Sequence, residues 1–149
     1  AGDLAHQGVL LECAERALAK ESELLSHLSS LAHDALILVL DGVTDPSNFG
    51  ACLRCASGAG VDAVIVPKRN SAPLSPITLK TAQGAVEDLL IVEVTNLART
   101  LKSLAQHGVW IVGTDDEADR MLGAFSDGPS LFYRTEVEPR YSQTGYAAG

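Results

Sequence analysis

The sequence predicts an α/β domain with a parallel sheet and flanking helices, on three observations. Four short apolar runs, 35–40, 63–66, 89–94 and 109–112, are rich in Val, Ile and Leu without clean alternation. That pattern suits strands buried on both faces. The runs start roughly 20 to 30 residues apart, the spacing of strand, crossover helix and next parallel strand. Helical patterns fill the gaps between them.

Taken in order, Leu24, Leu25, Leu28 and Leu31 recur at helical spacing ahead of the first strand. After that strand, Asp45 can cap a helix whose first residue is Pro46, where a missing N–H is harmless. This helix is expected over 46–57. The second strand runs into a loop, 67–76, bounded by Pro67 and Pro76 and carrying Lys68, Arg69 and Asn70 beside the strand end. A helix is expected over 78–86, then the third strand. Leu97, Leu101 and Leu104 mark a helix capped by Thr95 or Asn96 and stopped by Gly108. Beyond the fourth strand, Asp115, Asp116 and Glu117 read as a solvated helix start. Leu131-Phe132-Tyr133 can begin a fifth strand, and the polar, turn-rich remainder has no pattern. The expected division is a linker and leading helix over 1–34, the α/β domain over 35–125 and an irregular tail over 126–149. In such sheets the ligand crevice lies at the carboxyl ends of the strands.

The 149 residues are one domain's worth, and 46% apolar with 20% charged residues describes a folded globular chain. No apolar run approaches the roughly 20 residues of a membrane helix. The opening "AGDLAHQG" has neither basic patch nor apolar core, so no secretion signal is read and a cytoplasmic location is expected. A net charge of −8 argues against gripping nucleic acid by bulk electrostatics, though not against a local basic site. Three cysteines are too few for a disulfide framework. Cys52 and Cys55 form a C-x-x-C without a second ligand pair, so no metal site is expected. Both lie well inside the helix that Pro46 starts, away from the helix N-terminus a redox pair favours. They read as two small thiols on one packed face.

The stretch "DGVTDPSNFGACLRCASGAG", 41–60, places a lone large cation, Arg54, among small residues. Gly50, Ala51, Cys52, Cys55, Ala56 and Gly58 make this helix thin enough to lie against another backbone, a ligand or a second subunit. Gly inside a helix costs about 1 kcal/mol against Ala, so Gly50 answers a packing or approach requirement. Arg54 alone reads either as a solvated surface residue or as a phosphate ligand. Asn48 reads either as a helix-start residue or as a polar group of a site.

The longer string "LDGVTDPSNFGACLRCASGAGVDAVIVPKRNSA" resembles the first signature of the SpoU (TrmH) branch of the SPOUT methyltransferases. That signature is a strand, then D-P-x-N-x-G-x-x-x-R, then a small-residue helix ending in A-G before a second strand. Asp45, Pro46, Asn48, Gly50 and Arg54 fill it, with Ala59-Gly60 closing the helix. "KTAQGAVE", "VTNLARTLKSL" and "WIVGT" continue the likeness, and "HQGV" at residues 6–9 resembles the linker entering such a domain. The resemblance implies an α/β-knot fold and a homodimer with its active site near the subunit interface. It also implies methyl transfer from S-adenosylmethionine to a ribose 2′-hydroxyl of ribosomal RNA, a guanosine of the 23S rRNA. Arg54 and Asn48 match the residues that serve the ribose. Gly113 and Thr114, at the end of the fourth strand, are the positions expected near the cofactor; an ordinary strand-end turn is their other reading.

Arg54 suits anchoring a phosphate beside the target ribose and orienting the 2′-hydroxyl better than acting as a base, because a guanidinium is donor-only; a phosphate-assisted role in proton removal is the other reading. Two later family signatures, G-x-E-G-x-G and S-L-N-x-S, which carry the cofactor pocket and the knot, do not occur in the sequence. The expected knot is therefore incomplete, this chain alone is expected to bind S-adenosylmethionine weakly or not at all, and the chain resembles part of such an enzyme or a variant of the family. Two rivals stand beside this reading. A non-catalytic RNA-binding module would keep the fold. A dinucleotide-binding oxidoreductase would share the sheet, but "DGVTDPSNFG" has the wrong glycine spacing for G-x-G-x-x-G.

Overall fold

The apolar runs lack a polar face because helices cover both sides of the sheet they form. The computed structural model describes residues 16–114 and the backbone of residues 131–135. Within these, six strands make one sheet: β1 (Ala19–Lys20), β2 (Ile37–Asp41), β3 (Ala63–Pro67), β4 (Leu90–Val94), β5 (Ile111–Thr114) and β6 (Leu131–Thr135). Their spatial order is β1-β4-β3-β2-β6-β5, and every neighbouring pair is parallel. The helices are α1 (Glu21–Ser30), α2 (Pro46–Gly58), α3 (Pro76–Ala82) and α4 (Leu97–Gln106), with a 3₁₀ turn at Ala85–Glu87.

Successive side chains of each strand enter opposite cores. Ile37 and Val39 of β2, Ala63 and Ile65 of β3, and Val92 and Val94 of β4 pack with Leu24 of α1 and with Leu97 and Leu104 of α4. Leu40, Val64, Val66 and Ile91 pack on the other face with Phe49, Leu53 and Ala56 of α2, and with Ala82 and Val86. Helices α1 and α4 therefore share one face, and α2 and α3 the other. Two polar clasps fix the start of β2: Asp62 Oδ2 accepts from Leu36 N at 2.8 Å, while Asp62 N donates to Leu36 O at 2.8 Å.

The four predicted strands are present, each within two residues of its expected bounds. Three expectations change. The helix expected over 78–86 breaks into α3 and the 3₁₀ turn, because Gln83 (φ 50°) and Gly84 (φ 87°) both take the left-handed conformation. The strand beginning at Leu131 lies inside the sheet, between β2 and β5, so the tail is not irregular throughout. Leu24 of the leading helix is fully buried. The sheet and its cores thus do not follow a division at residues 34 and 125. The linker motif at residues 6–9, the segment 115–117 and the remainder of the tail lie outside the described residues. Among the described residues no helix is long and apolar enough to cross a membrane.

Candidate functional site

A parallel sheet puts every strand's carboxyl end on one edge, and the loops leaving that edge carry the candidate residues. The chain passes from β2 to β3 on one side, while β6 and β5 lie on the other. β2 therefore stands at the reversal of strand order, where ligands of open α/β sheets bind.

The D-P-x-N segment folds as the sequence predicts. Asp45 is the N-cap of α2, and its Oδ1 accepts from Asn48 N at 2.7 Å. Pro46 occupies the first turn, and Phe49 N donates to Asp45 O at 2.9 Å. The Asn48 backbone thus completes the cap while its residue stays exposed. Phe49, Gly50, Leu53 and Ala56 form the buried stripe of α2.

Gly50 sits where α2 meets α3. A Cβ there would lie 2.6 Å from Thr78 O and 2.7 Å from Thr81 Cβ, closer than atoms approach. The thin profile is used at this point against another backbone of the same chain. Thr78 is itself buried, its hydroxyl donating to Pro73 O at 2.9 Å. The pair of cysteines divides: Cys52 packs against the core, whereas Cys55 is exposed, and the two are not joined in a disulfide. The expectation of two thiols on one packed face holds for Cys52 only.

Arg54 is exposed on α2, eight residues beyond Pro46. At 1.5 Å per residue that is about 12 Å along the helix, with the Cα–Cβ bond tilted back toward the sheet's carboxyl edge. It forms no hydrogen bond or ion pair with another described residue. The other two described arginines with known contacts are tied down: Arg16 to Glu87 Oε2 and Leu89 O, both at 3.0 Å, and Arg99 to Glu21 Oε2 at 2.9 Å. Asn48 and Arg54 are six residues apart, about 240° around the axis, so they do not form one stripe. The site joins them only if a ligand spans the exposed side of the helix.

Gly113 and Thr114 end β5, in register with positions 133 and 134 of β6. They share the carboxyl edge with β2 but stand two strands away, about 10 Å at 4.8 Å per strand. A cofactor of nucleoside size needs a cleft that encloses most of its surface. Gly113 is exposed and Thr114 half-buried on a strand at the margin of the described sheet. Among the described residues, Gly113 and Thr114 supply one backbone edge toward such a cleft.

The sequence reading did not anticipate how the loop after β3 is held. Ala72 N donates to Val43 O at 2.8 Å, Lys68 N to Val94 O at 2.8 Å, and Ser71 Oγ to Pro67 O at 2.6 Å. These bonds join the loop to the β2–α2 connection and to the end of β4. They run between segments far apart in sequence, so no local pattern announces them.

Comparison with known proteins adds the following. The model of the SpoU rRNA Methylase family matches residues 35–132. The 23S rRNA (guanosine-2′-O-)-methyltransferase RlmB of Yersinia pestis is 52% identical over 117 residues, 78% of this chain and 47% of that protein. Its namesake in Pseudomonas putida is 53% identical over the same length and shares. The chain thus spans about half the length of the curated relatives it matches. Among solved structures, an RNA 2′-O ribose methyltransferase is 31% identical with a TM-score of 0.60, covering 70% of this chain and 41% of that one. The SpoU methyltransferase AviRb of Streptomyces viridochromogenes in complex with AdoMet has a TM-score of 0.64 at 23% identity, over 73% of this chain and 46% of its own. That last likeness speaks to the fold.

Proposed function

The chain belongs to the SpoU rRNA methylase family, and from that membership we propose that it is part of an S-adenosylmethionine-dependent ribosomal-RNA 2′-O-methyltransferase. The substrate proposed is a guanosine ribose of 23S rRNA, for which the relatives at 52% and 53% identity are named. The proposal includes a homodimer working in the cytoplasm, which rests on family likeness. Family membership displaces the dinucleotide-oxidoreductase reading.

Within that enzyme this chain's residues do the positioning. Arg54 offers a planar fork of donors to a phosphate next to the target ribose, and Asn48 offers an amide to the sugar or base beside it. Holding the strand in this way orients the 2′-hydroxyl, and positioning is worth several kcal/mol in reactions of this type. The observation that carries the reading is the exposed Arg54, without an ion pair or hydrogen bond to another described residue, on a helix built from D-P-x-N-x-G-x-x-x-R.

The test is a chimera in which residues 35–114 replace the matching segment of the Yersinia pestis relative, with Arg54 intact or changed to Ala. Ribose methylation of 23S rRNA should be lost by the variant while the protein stays folded and dimeric. Undiminished methylation would remove Arg54 from the site. An intact chimera that binds RNA but does not methylate it would instead support the rival reading, an RNA-binding module without chemistry.

A further inference from the structure

Exposed cations that a chain leaves unpaired on a strongly acidic surface call for an anion. Lys68, Arg69 and Asn70 are all exposed directly after β3, and neither cation forms an ion pair or hydrogen bond through its side chain with another described residue. Solvated loop cations are common, so exposure alone would say little. The backbone beneath them is what distinguishes this loop. Lys68 N is bonded to the end of β4, Ser71 Oγ to Pro67 O, and Ala72 N to Val43 O. Asn70 makes the reversal in the left-handed conformation, φ 63°, which Asn tolerates better than most residues.

The loop continues as rigidly into α3. Ser75 Oγ accepts from Thr78 N at 3.3 Å, and the buried Thr78 hydroxyl binds Pro73 O. Two cations are therefore held on a fixed backbone at the carboxyl edge, three and four residues before Ala72, whose N–H is bonded to the connection that leads to Asp45 and Asn48. No acidic residue occurs between Lys68 and Ser75. The Asp45 carboxylate is engaged as a helix cap, and Glu93, in register beside Val66, is half-buried in the sheet.

We propose that the 68–70 loop is a second RNA contact, in which Lys68 and Arg69 take phosphates of the strand flanking the nucleotide that α2 receives. A single strand crossing the strand ends at this loop would have to continue about 12 Å along α2 to reach Arg54. Arg69 supplies a planar fork and Lys68 a point charge, the two means by which proteins hold phosphodiesters without reading sequence. The loop sets the register of the strand, and the reacting sugar is held elsewhere. This rests on the function proposed above.

The test uses the 149-residue chain and transcribed 23S rRNA in filter binding from about 50 to about 200 mM KCl. Changing both Lys68 and Arg69 to Ala should weaken binding about tenfold at the low end. It should also flatten the slope of log K against log[salt] by about 1.5, the value for two lost phosphate contacts. Lys68→Arg should keep the wild-type slope. Lys102→Ala, an exposed cation on the opposite helical layer, should change neither quantity. Unchanged thermal melting of the double variant shows that the loss is local.

An unaltered slope in the double variant would overturn the proposal. So would an equal loss in Lys102→Ala, or no binding by the wild-type chain at low salt. The chimera separates the two ideas. An intact chimera that binds RNA without methylating it defeats the function proposed above and leaves the salt-slope result standing; a chimera that methylates, beside an unaltered salt slope in the double variant, defeats only the loop.

Discussion

Arg54 and Arg99 are both exposed arginines on helices that flank the same sheet, and the chain treats them in opposite ways. Arg99, in the first turn of α4, reaches across to α1 and binds Glu21 Oε2 at 2.9 Å. The neighbouring Thr100 hydroxyl donates to the other oxygen of that carboxylate, also at 2.9 Å. Together they fasten two helices of one layer. Arg54, on the opposite layer, rises from a helix of small residues and engages no other described residue. An arginine that serves the fold has its carboxylate supplied by the fold. One without a carboxylate partner among the described residues, on the helix that leaves the edge where the chain reverses strand order, is open to an anion from outside.

Breaking that contrast should have its largest effect on chemistry. Arg54→Ala in the chimera is expected to lower the rate of ribose methylation on the order of 100-fold, the usual cost of mispositioning a reacting group. Its melting temperature should hardly move, because the side chain is exposed. Arg54→Lys should recover only part of the rate, since an ammonium lacks the fork. Arg99→Ala should leave the rate unchanged. A rate loss in Arg99→Ala matching that of Arg54→Ala would erase the distinction between the two positions.

The layer beneath Arg54 can be broken next. Gly50→Ala introduces a Cβ 2.6 Å from a carbonyl oxygen of α3. Backbone cannot yield as a flexible side chain does, and overpacking of this kind costs about 1 to 3 kcal/mol. Chemical denaturation should show the loss in full. The α2–α3 layer would then shift relative to the sheet, so methylation should fall as well, which the Arg99 side of the molecule would not feel.

Much of this was legible in the residues. Strands buried on both faces show themselves as unbroken apolar runs, and Asp45-Pro46 names its own helix start. Even the demand at Gly50 is readable, though not what meets it, because the carbonyl of Thr78 is brought there by tertiary packing. β1 escaped because two residues carry no period. The place of β6 between β2 and β5 escaped because strand order is set by pairings distant in sequence. For the site, the motif pointed to Asn48 and Arg54, and their six-residue spacing already sets them on different stripes of α2. It was silent on the bond from Ala72 to Val43 that ties a basic loop to the same edge. Side chains that cap and strands that bury leave local signatures, whereas loops held by distant backbone do not.

A smaller test sharpens the role of the cap. Asp45→Ala removes the acceptor for Asn48 N and should cost about 1 kcal/mol in denaturation, while Asp45→Ser should restore most of it. If Asp45 serves only the helix, Asp45→Ser should methylate at nearly the intact rate in the chimera. A serine variant that is stable yet inactive would move Asp45 into the site alongside Arg54.

The smallest effect belongs to the Arg99–Glu21 pair. Its side chains are 67% and 29% exposed, so water screens most of their attraction. A double-mutant cycle of Arg99→Ala and Glu21→Ala should give a coupling of about 0.2 to 1 kcal/mol, falling as salt is raised. Glu21→Ala alone should cost more than Arg99→Ala alone, because it also strips the Thr100 hydroxyl of its carboxylate partner, leaving the bond to Asn96 O at 3.1 Å. If the two single variants cost the same, Thr100 contributes nothing to joining the helices. The contrast with Arg54 would then rest on a single ion pair, which a surface arginine acquires easily and loses at little cost.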